Sequence, residues 1–427
     1  MITQSSRCQG ANQEVLSRIC ASKVLWTGVS RAAQVVPWFG IGQKLLHAGP
    51  PLPWMRMCGA MRNAILGAIL YQGWASNLDE AESLVQSGEV ELDSAHSHGM
   101  LGPMAGVVSP SMPVLVLENI TFGNRAYVTI NEGLGRTLRF GANDDSVLER
   151  LRWIECKLAP LLGEAVQLGG SVDILTIAER ALQRGDECHN RNKSATSLLF
   201  RKLAPWLVRT SFAREDIAEA LLFLDSNDHF FLNFSMAASK ATMDAAAGVP
   251  GSSIVSCMAA NGVQFAIQVA GLPGIWFACP APTAEGRYFS GYGEEDANPV
   301  MGDSYLSEAA GLGGVAMAAA PAITSFVGGT VQDAIDITLE MYRITTMEHP
   351  RFRIPFLDYR GTPLGIDLHK VIQQNILPAI NTGIAHRLPG VSRPSTPALP
   401  IAYPVWARLA PGCSGHRSNA FKTRSTR

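Results

Sequence analysis

The sequence predicts an α+β fold in several domains, with two mixed α/β domains and a small helical domain between them. Three observations carry this expectation. At 427 residues the chain is longer than a single hydrophobic core usually organises. Runs rich in Val, Ile and Tyr mix with helical runs both early and late in the chain. Between them, from Asn143 to about Phe223, apolar residues recur only at intervals of three and four, the spacing of helices with one buried face. The expected divisions are an N-terminal α+β domain at 1–142, a helical domain at 143–228, a C-terminal α+β domain at 229–391 and a disordered tail at 392–427.

In the first domain, Arg62 to Tyr71 has apolar residues at helical spacing. Asn77-Leu-Asp-Glu80 reads as the capped start of a helix ending near Gly88. Val114 to Leu117 and Arg125 to Ile130 read as strands around a Gly-Asn turn. In the middle stretch, Ser146-Val-Leu-Glu149 has the form of a capping box. Val147, Leu151, Ile154, Leu158 and Leu161 then mark one buried face. Helices are expected over Asp173 to Arg184 and Lys193 to Arg209, and the acidic pair Glu215-Asp216 suits the first turn of another. Further on, Val263, Phe265, Ile267 and Val269 alternate as a half-buried strand. Gly271-Leu-Pro-Gly274 then predicts a hairpin into Ile275 to Ala278. Thr330-Val-Gln-Asp333 predicts the cap of a helix reaching about Ile344.

Composition narrows the function. A hydrophobic share of 47% with 17% charged residues fits a soluble protein with much buried surface. A net charge of −1 gives no electrostatic reason for binding nucleic acid or an anionic membrane. The eight cysteines are scattered with no C-x-x-C pair, so reduced cytosolic thiols are expected and no metal ribbon. The first 30 residues lack the pattern of a secretory leader, which fits a cytoplasmic location. Ala309 to Gly329 is uncharged over a bilayer-spanning length, but its Ala, Gly and Pro321 predict a buried helix of a soluble protein. The segment Ser392 to Arg427 is rich in Pro, Ser and Arg without an acidic residue; a divergent tail and a frame-shifted reading both fit.

Several short polar motifs stand out in this weakly charged body. His96 and His98, placed two apart in a strand, would share a face as hydrogen-bond or acid/base groups. A metal reading requires further ligands, for which Glu187 and His189 are the candidates. His47 precedes the stiff Gly49-Pro50-Pro51 turn. Arg62 at a helix start combines a guanidinium with free amides suited to an anion. Asn131-Glu132-Gly133 leaves a strand where backbone can approach a ligand. Asp186-Glu187-Cys188-His189-Asn190-Arg191-Asn192 packs six polar side chains at a helix junction. It reads equally as a ligand reader, with Asn190 and Asn192 on an amide and Arg191 on an anion, and as a helix-terminal knot. Asn227-Asp228-His229 faces the apolar Phe230-Phe-Leu, a setting that shifts a histidine pKa toward acid/base use. No Walker motif occurs. Gly311-Leu-Gly-Gly-Val-Ala316 lacks the preceding strand of a dinucleotide site, so no nucleotide cofactor is expected.

These motifs, with Gly102-Pro-Met-Ala-Gly106, Asp296-Ala-Asn-Pro299, Gly302-Asp-Ser304, Phe356-Leu-Asp-Tyr-Arg-Gly-Thr-Pro363, Gly365-Ile-Asp367 and Asn381-Thr-Gly-Ile-Ala-His386, resemble the YlbE/YahG family from about Leu46 to about Val391. That family includes the AllG-type subunit of oxamate carbamoyltransferase. The resemblance implies carbamoyl transfer between oxalurate and phosphate, giving oxamate and carbamoyl phosphate in allantoin and purine catabolism. It also implies an oligomeric assembly with FdrA-like and other subunits. On this reading His96, His98 and His229 are the catalytic candidates. The substrate-binding candidates are His47, Arg62, Asn131, Glu132, Glu187, His189, Asn190, Arg191, Asn192, Asn227 and Asp228. The alternative is a noncatalytic scaffold or small-anion-binding subunit; a third reading, metal-assisted amide hydrolysis, needs His96 and His98 to meet a carboxylate.

Overall fold

A computed structural model describes residues 4–133, 135–284, 286, 288–323, 329–388 and, as a backbone strand, 402–408. The fold is α+β, with helices packed among several small mixed sheets. The largest sheet has five strands in the order Met100–Leu101, Asn124–Thr129, Pro113–Asn119, Val24–Arg31 and Val172–Asp173. A three-stranded sheet places Gln43–His47 between Val90–Ser94 and Val107–Val108. A four-stranded sheet runs Leu272–Pro280, Gln264–Val269, Val255–Asn261, Met301–Gly302.

The helix Phe230–Ala246 lies at the centre. Nearly every residue along it is buried, so it carries no single apolar stripe, as expected of a helix surrounded by protein. Phe234 meets Trp26 of the largest sheet edge-on at 4.8 Å. The main apolar core draws on Val15, Leu117, Leu158, Leu199, Phe234 and Ile380, and so on all three expected divisions. The helical stretch also lends Val172–Asp173 to the N-terminal sheet, and its Glu179 holds Arg351 Nε at 2.9 Å. The first helix, Gln4–Ala21, is tied to the far end of the chain, where Asn12 donates to Asp367 and Ser253.

Local expectations fare unevenly. Asn77 caps the helix Leu78–Ser87 by accepting from Glu80 N, and Thr330 with Asp333 forms the capping box of Val331–Met341. The helix predicted from Ser146 is capped two residues earlier by Asp144, whose carboxylate accepts from Ser146 N. The outer hairpin strand begins at Leu272, so the turn comes before Gly274. The apolar run from Ala309 is buried but is not one helix. It forms a short α-turn and the 3-10 segment Gly313–Ala319, because closely spaced glycines bring the backbone against its neighbours; its end at 324–328 lies outside the described residues. Most of the expected tail also lies outside them, while Ala402–Arg408 pairs antiparallel with Ala379–Ile384. No helix among the described residues is long and apolar enough to cross a membrane. Cys8, Cys20, Cys58, Cys156, Cys188 and Cys257 are free, but Cys279 departs from expectation in being disulfide-bonded.

Candidate functional site

Asp303, fully buried after the short strand Met301–Gly302, gathers three separate motifs. Its Oδ1 accepts from Gly49 N at 2.7 Å and from His96 Nε2 at 2.9 Å, and its Oδ2 accepts from Gly102 N at 2.8 Å. The glycine at 49 is required: its φ is +82°, and a Cβ there would fall 2.5 Å from Ala260 O. The other imidazole nitrogen, Nδ1, lies 3.6 Å from Cys257 Sγ on the fully buried strand Val255–Asn261. Burial opposes a charge on His96, but Cys257 and Asp303 outweigh it and raise its pKa to about 10. Trp276 of the outer strand meets the His96 ring edge-on at 5.2 Å.

His96 and His98 do not share a face. They sit in a 3-10 turn, Ala95–His98, instead of a strand, and such a turn rotates about 120° per residue. His98 Nε2 accordingly bonds Asp93 Oδ2 at 2.8 Å, and its ring lies against Trp38. His47 is buried with Nδ1 2.9 Å from Ala48 O, and burial lowers its pKa. Arg62 stands in the first turn of Gly59–Gln72. It donates to Met55 O at 2.7 Å and lies over Trp54; its Nε is buried without a hydrogen-bond partner.

A small cleft opens beside this centre, lined by Tyr71, Gly106, Asn131, Glu132, Arg139 and Asn233 among others. Asn131 is a bridge: its Nδ2 donates to His229 O and Asn233 Oδ1, and its Oδ1 accepts from Asn227 Nδ2 and Gly133 N. Glu132 accepts from the amides of Leu138 and Arg139, and burial raises its pKa. The Arg139 guanidinium donates to Gly133 O at 2.8 Å, yet its buried Nε has no hydrogen-bond partner. Desolvation lowers its pKa, against the attraction of Glu132. His229 is held neutral, its pKa lowered to about 4 by burial and then by Arg139. Asp228 instead turns outward to an exposed ion pair with Lys193.

The motif at 186–192 forms a third cluster. Glu187 accepts from the amides of His189, Asn190 and Arg191 and from Asn381 Nδ2. Asn190 donates to Asn381, and Asn192 donates to His189 O. Arg191 donates to Gly185 O and lies 3.3 Å from Asp186. His189 Nδ1 is 2.8 Å from Glu308 Oε1, whose other oxygen is buried without a hydrogen-bond partner. Among the described residues no group of three or more His, Cys, Asp or Glu is arranged to hold a metal ion.

The clusters adjoin. Gly102 bonds Asp303, while Ala105 N bonds Arg139 O at 2.9 Å, so one tight loop joins the Asp303 centre to the cleft. His96, His47, Asn131, Glu132 and His229 belong to this region; His98, Asp228 and Arg62 bond elsewhere. Sequence reasoning did not single out Cys257, Arg139 or Glu308. Arg139 did carry a signal, a lone cation between Leu138 and Phe140, whereas Cys257 stands in an apolar run that gives none.

The model of a family described as oxamate carbamoyltransferase subunit AllG matches residues 90–304. An uncharacterized protein of Escherichia coli, YahG, is 44% identical over 387 residues, covering 91% of this chain and 82% of the relative. The oxamate carbamoyltransferase subunit AllG of the same organism is 42% identical over 385 residues, covering 90% and 92%. A crystal structure of a conserved protein of unknown function from Enterococcus faecalis superposes with a TM-score of 0.92 at 41% identity, covering 97% of each chain. With most of its length matched and its fold shared, the chain belongs to the AllG/YahG family.

Proposed function

We propose that this chain is the substrate-holding subunit of a carbamoyltransferase that moves a carbamoyl group between oxalurate or oxamate and phosphate. The reaction brings together two anions and passes through a tetrahedral carbonyl adduct, so it needs cationic and hydrogen-bond donors in a dry site. The observation that carries this reading is the Arg139 guanidinium, buried beside the cleft with one N–H unanswered. A buried donor without a partner is costly to maintain, and an anionic ligand removes that cost. Asn131 and Asn233 bring carboxamides to the same cleft, and His229, neutral at pH 7, is a base near Arg139. Arg139 takes the anion-holding role assigned by sequence to Arg191, whose guanidinium is engaged by Gly185 and Asp186.

FdrA-like and further subunits are the partners this reading requires, in a cytoplasmic oligomer serving allantoin breakdown. The test is carbamoyl phosphate formation from oxalurate and phosphate by the purified chain with and without those subunits. Product formed in the mixture supports the reading. Its absence, with an intact complex, favours a noncatalytic subunit. One observation favours that second reading for the 186–192 motif: Glu187 is saturated by its own segment's amides and Asn381, as in a structural knot.

A further inference from the structure

We infer that Cys257, His96 and Asp303 form a nucleophilic triad that takes up the carbamoyl group as a thiocarbamate on Cys257. The inference rests on the carbamoyl-transfer reading and adds a covalent route to it. Its basis is geometric. Cys257 Sγ is 3.6 Å from His96 Nδ1, and His96 Nε2 is 2.9 Å from Asp303 Oδ1, which is the order of nucleophile, base and orienting group. Asp303 is fixed by the amides of Gly49 and Gly102, so the imidazole it orients has little freedom. Lys240, buried on the central helix and paired with Asp244 at 2.7 Å, adds positive charge toward Cys257 and Asp303. The three groups come from separate parts of the chain, and a structural role for a thiol requires no such alignment. Trp276, half-buried on a strand whose other residues are largely exposed, covers the imidazole edge from the solvent side.

The steps balance without a cofactor. The Cys257 thiolate attacks the carbamoyl carbon of an oxalurate-class N-carbamoyl amide. The C–N bond breaks, its electron pair stays on the departing oxamate nitrogen, and that nitrogen takes a proton from His96 Nδ1. This leaves S-carbamoyl-Cys257 and a neutral imidazole. A phosphate oxygen then attacks the same carbon as His96 accepts its proton. The C–S bond breaks with its pair returning to sulfur, which releases carbamoyl phosphate and restores the thiolate and imidazolium. Cys257 and His96 are the catalytic residues, and Asp303 is a positioning residue.

The experiment uses the assembled enzyme, with Cys257→Ser, Cys257→Ala and His96→Gln compared with a Cys156→Ser control at an exposed thiol. Rapid quenching with carbamoyl phosphate, followed by peptide mass mapping, is expected to place one carbamoyl group on Cys257. Both Cys257 variants should lose transfer by about a thousandfold or more while their complexes remain intact. In wild type, iodoacetamide should alkylate Cys257, His96→Gln should slow that reaction about tenfold, and Asp303→Asn should shift its pH dependence. Transfer by wild type that persists in Cys257→Ala, or a quenched complex with no label on Cys257, overturns the triad and leaves the carbamoyl-transfer reading standing. A wild-type complex that makes no carbamoyl phosphate sinks that reading instead. In that case alkylation of Cys257 that His96→Gln leaves unchanged rejects the triad as well.

Discussion

The Asp303 centre and the Arg139 cleft are assembled from similar groups, each pairing a buried carboxylate with a cationic or basic side chain, but they are finished differently. Both Asp303 oxygens are engaged, and both His96 nitrogens have neighbours at bonding range. In the cleft Glu132 is satisfied by backbone amides, whereas Arg139 keeps an unanswered Nε. A closed network fixes the position of the groups within it, and an open one is completed by something that arrives. The tight loop from Gly102 to Gly106 joins the two.

Breaking the closed network should have the larger effect on stability. Asp303→Ala strips a buried imidazole and two amides of their acceptor, and a loss of about 3–5 kcal/mol is expected in urea unfolding. A loss below about 1 kcal/mol would show that the centre is not closed in this way.

Acid and alkali should separate the two regions. His229 has its folded pKa lowered to about 4 from an ordinary 6.5, so the unfolded chain binds a proton that the folded chain refuses. The stability it contributes is complete above pH 6.5 and is lost as pH falls from there toward 4, by up to about 3 kcal/mol. His349, lowered to about 3 by burial and then by Arg351, acts in the same direction. His96 acts in the opposite one: its folded pKa of about 10 gives stability present below pH 6.5 and lost as pH rises from there through 10. Unfolding curves against pH should lose part of their acid limb in His229→Gln and part of their alkaline limb in His96→Gln. Unchanged limbs would contradict these environments.

The joining loop can be tested by Gly102→Ala. Its Cβ would come within 2.8 Å of Gly106 Cα, so about 1–3 kcal/mol should be lost and both regions disturbed. Asn77→Ala is a control away from both: losing the cap that accepts from Glu80 N should cost about 1 kcal/mol in thermal unfolding and leave ligand binding unchanged.

What the sequence revealed follows from the range of the interactions involved. Caps are local, so Asn77 and Thr330 could be read within four residues of their partners. The strand Val24–Arg31 at the inside of the largest sheet was missed because its partners lie at Pro113–Asn119 and Val172–Asp173. The central helix Phe230–Ala246 was read only as an apolar wall, since burial on every side removes the periodic signal. The site divides in the same way. His96, Asn131 and Glu132 announced themselves as polar motifs, but Cys257 acquires chemical meaning only when the fold sets it against an imidazole 161 positions away.

The most direct test of whether the cleft holds an anion is titration calorimetry of inorganic phosphate and oxamate into the purified chain, comparing wild type with Arg139→Gln and Arg62→Gln after unfolding curves establish that each variant folds. The account predicts that Arg139→Gln weakens anion binding at least about tenfold while Arg62→Gln leaves it within about twofold. Binding unchanged in a folded Arg139→Gln protein would contradict it.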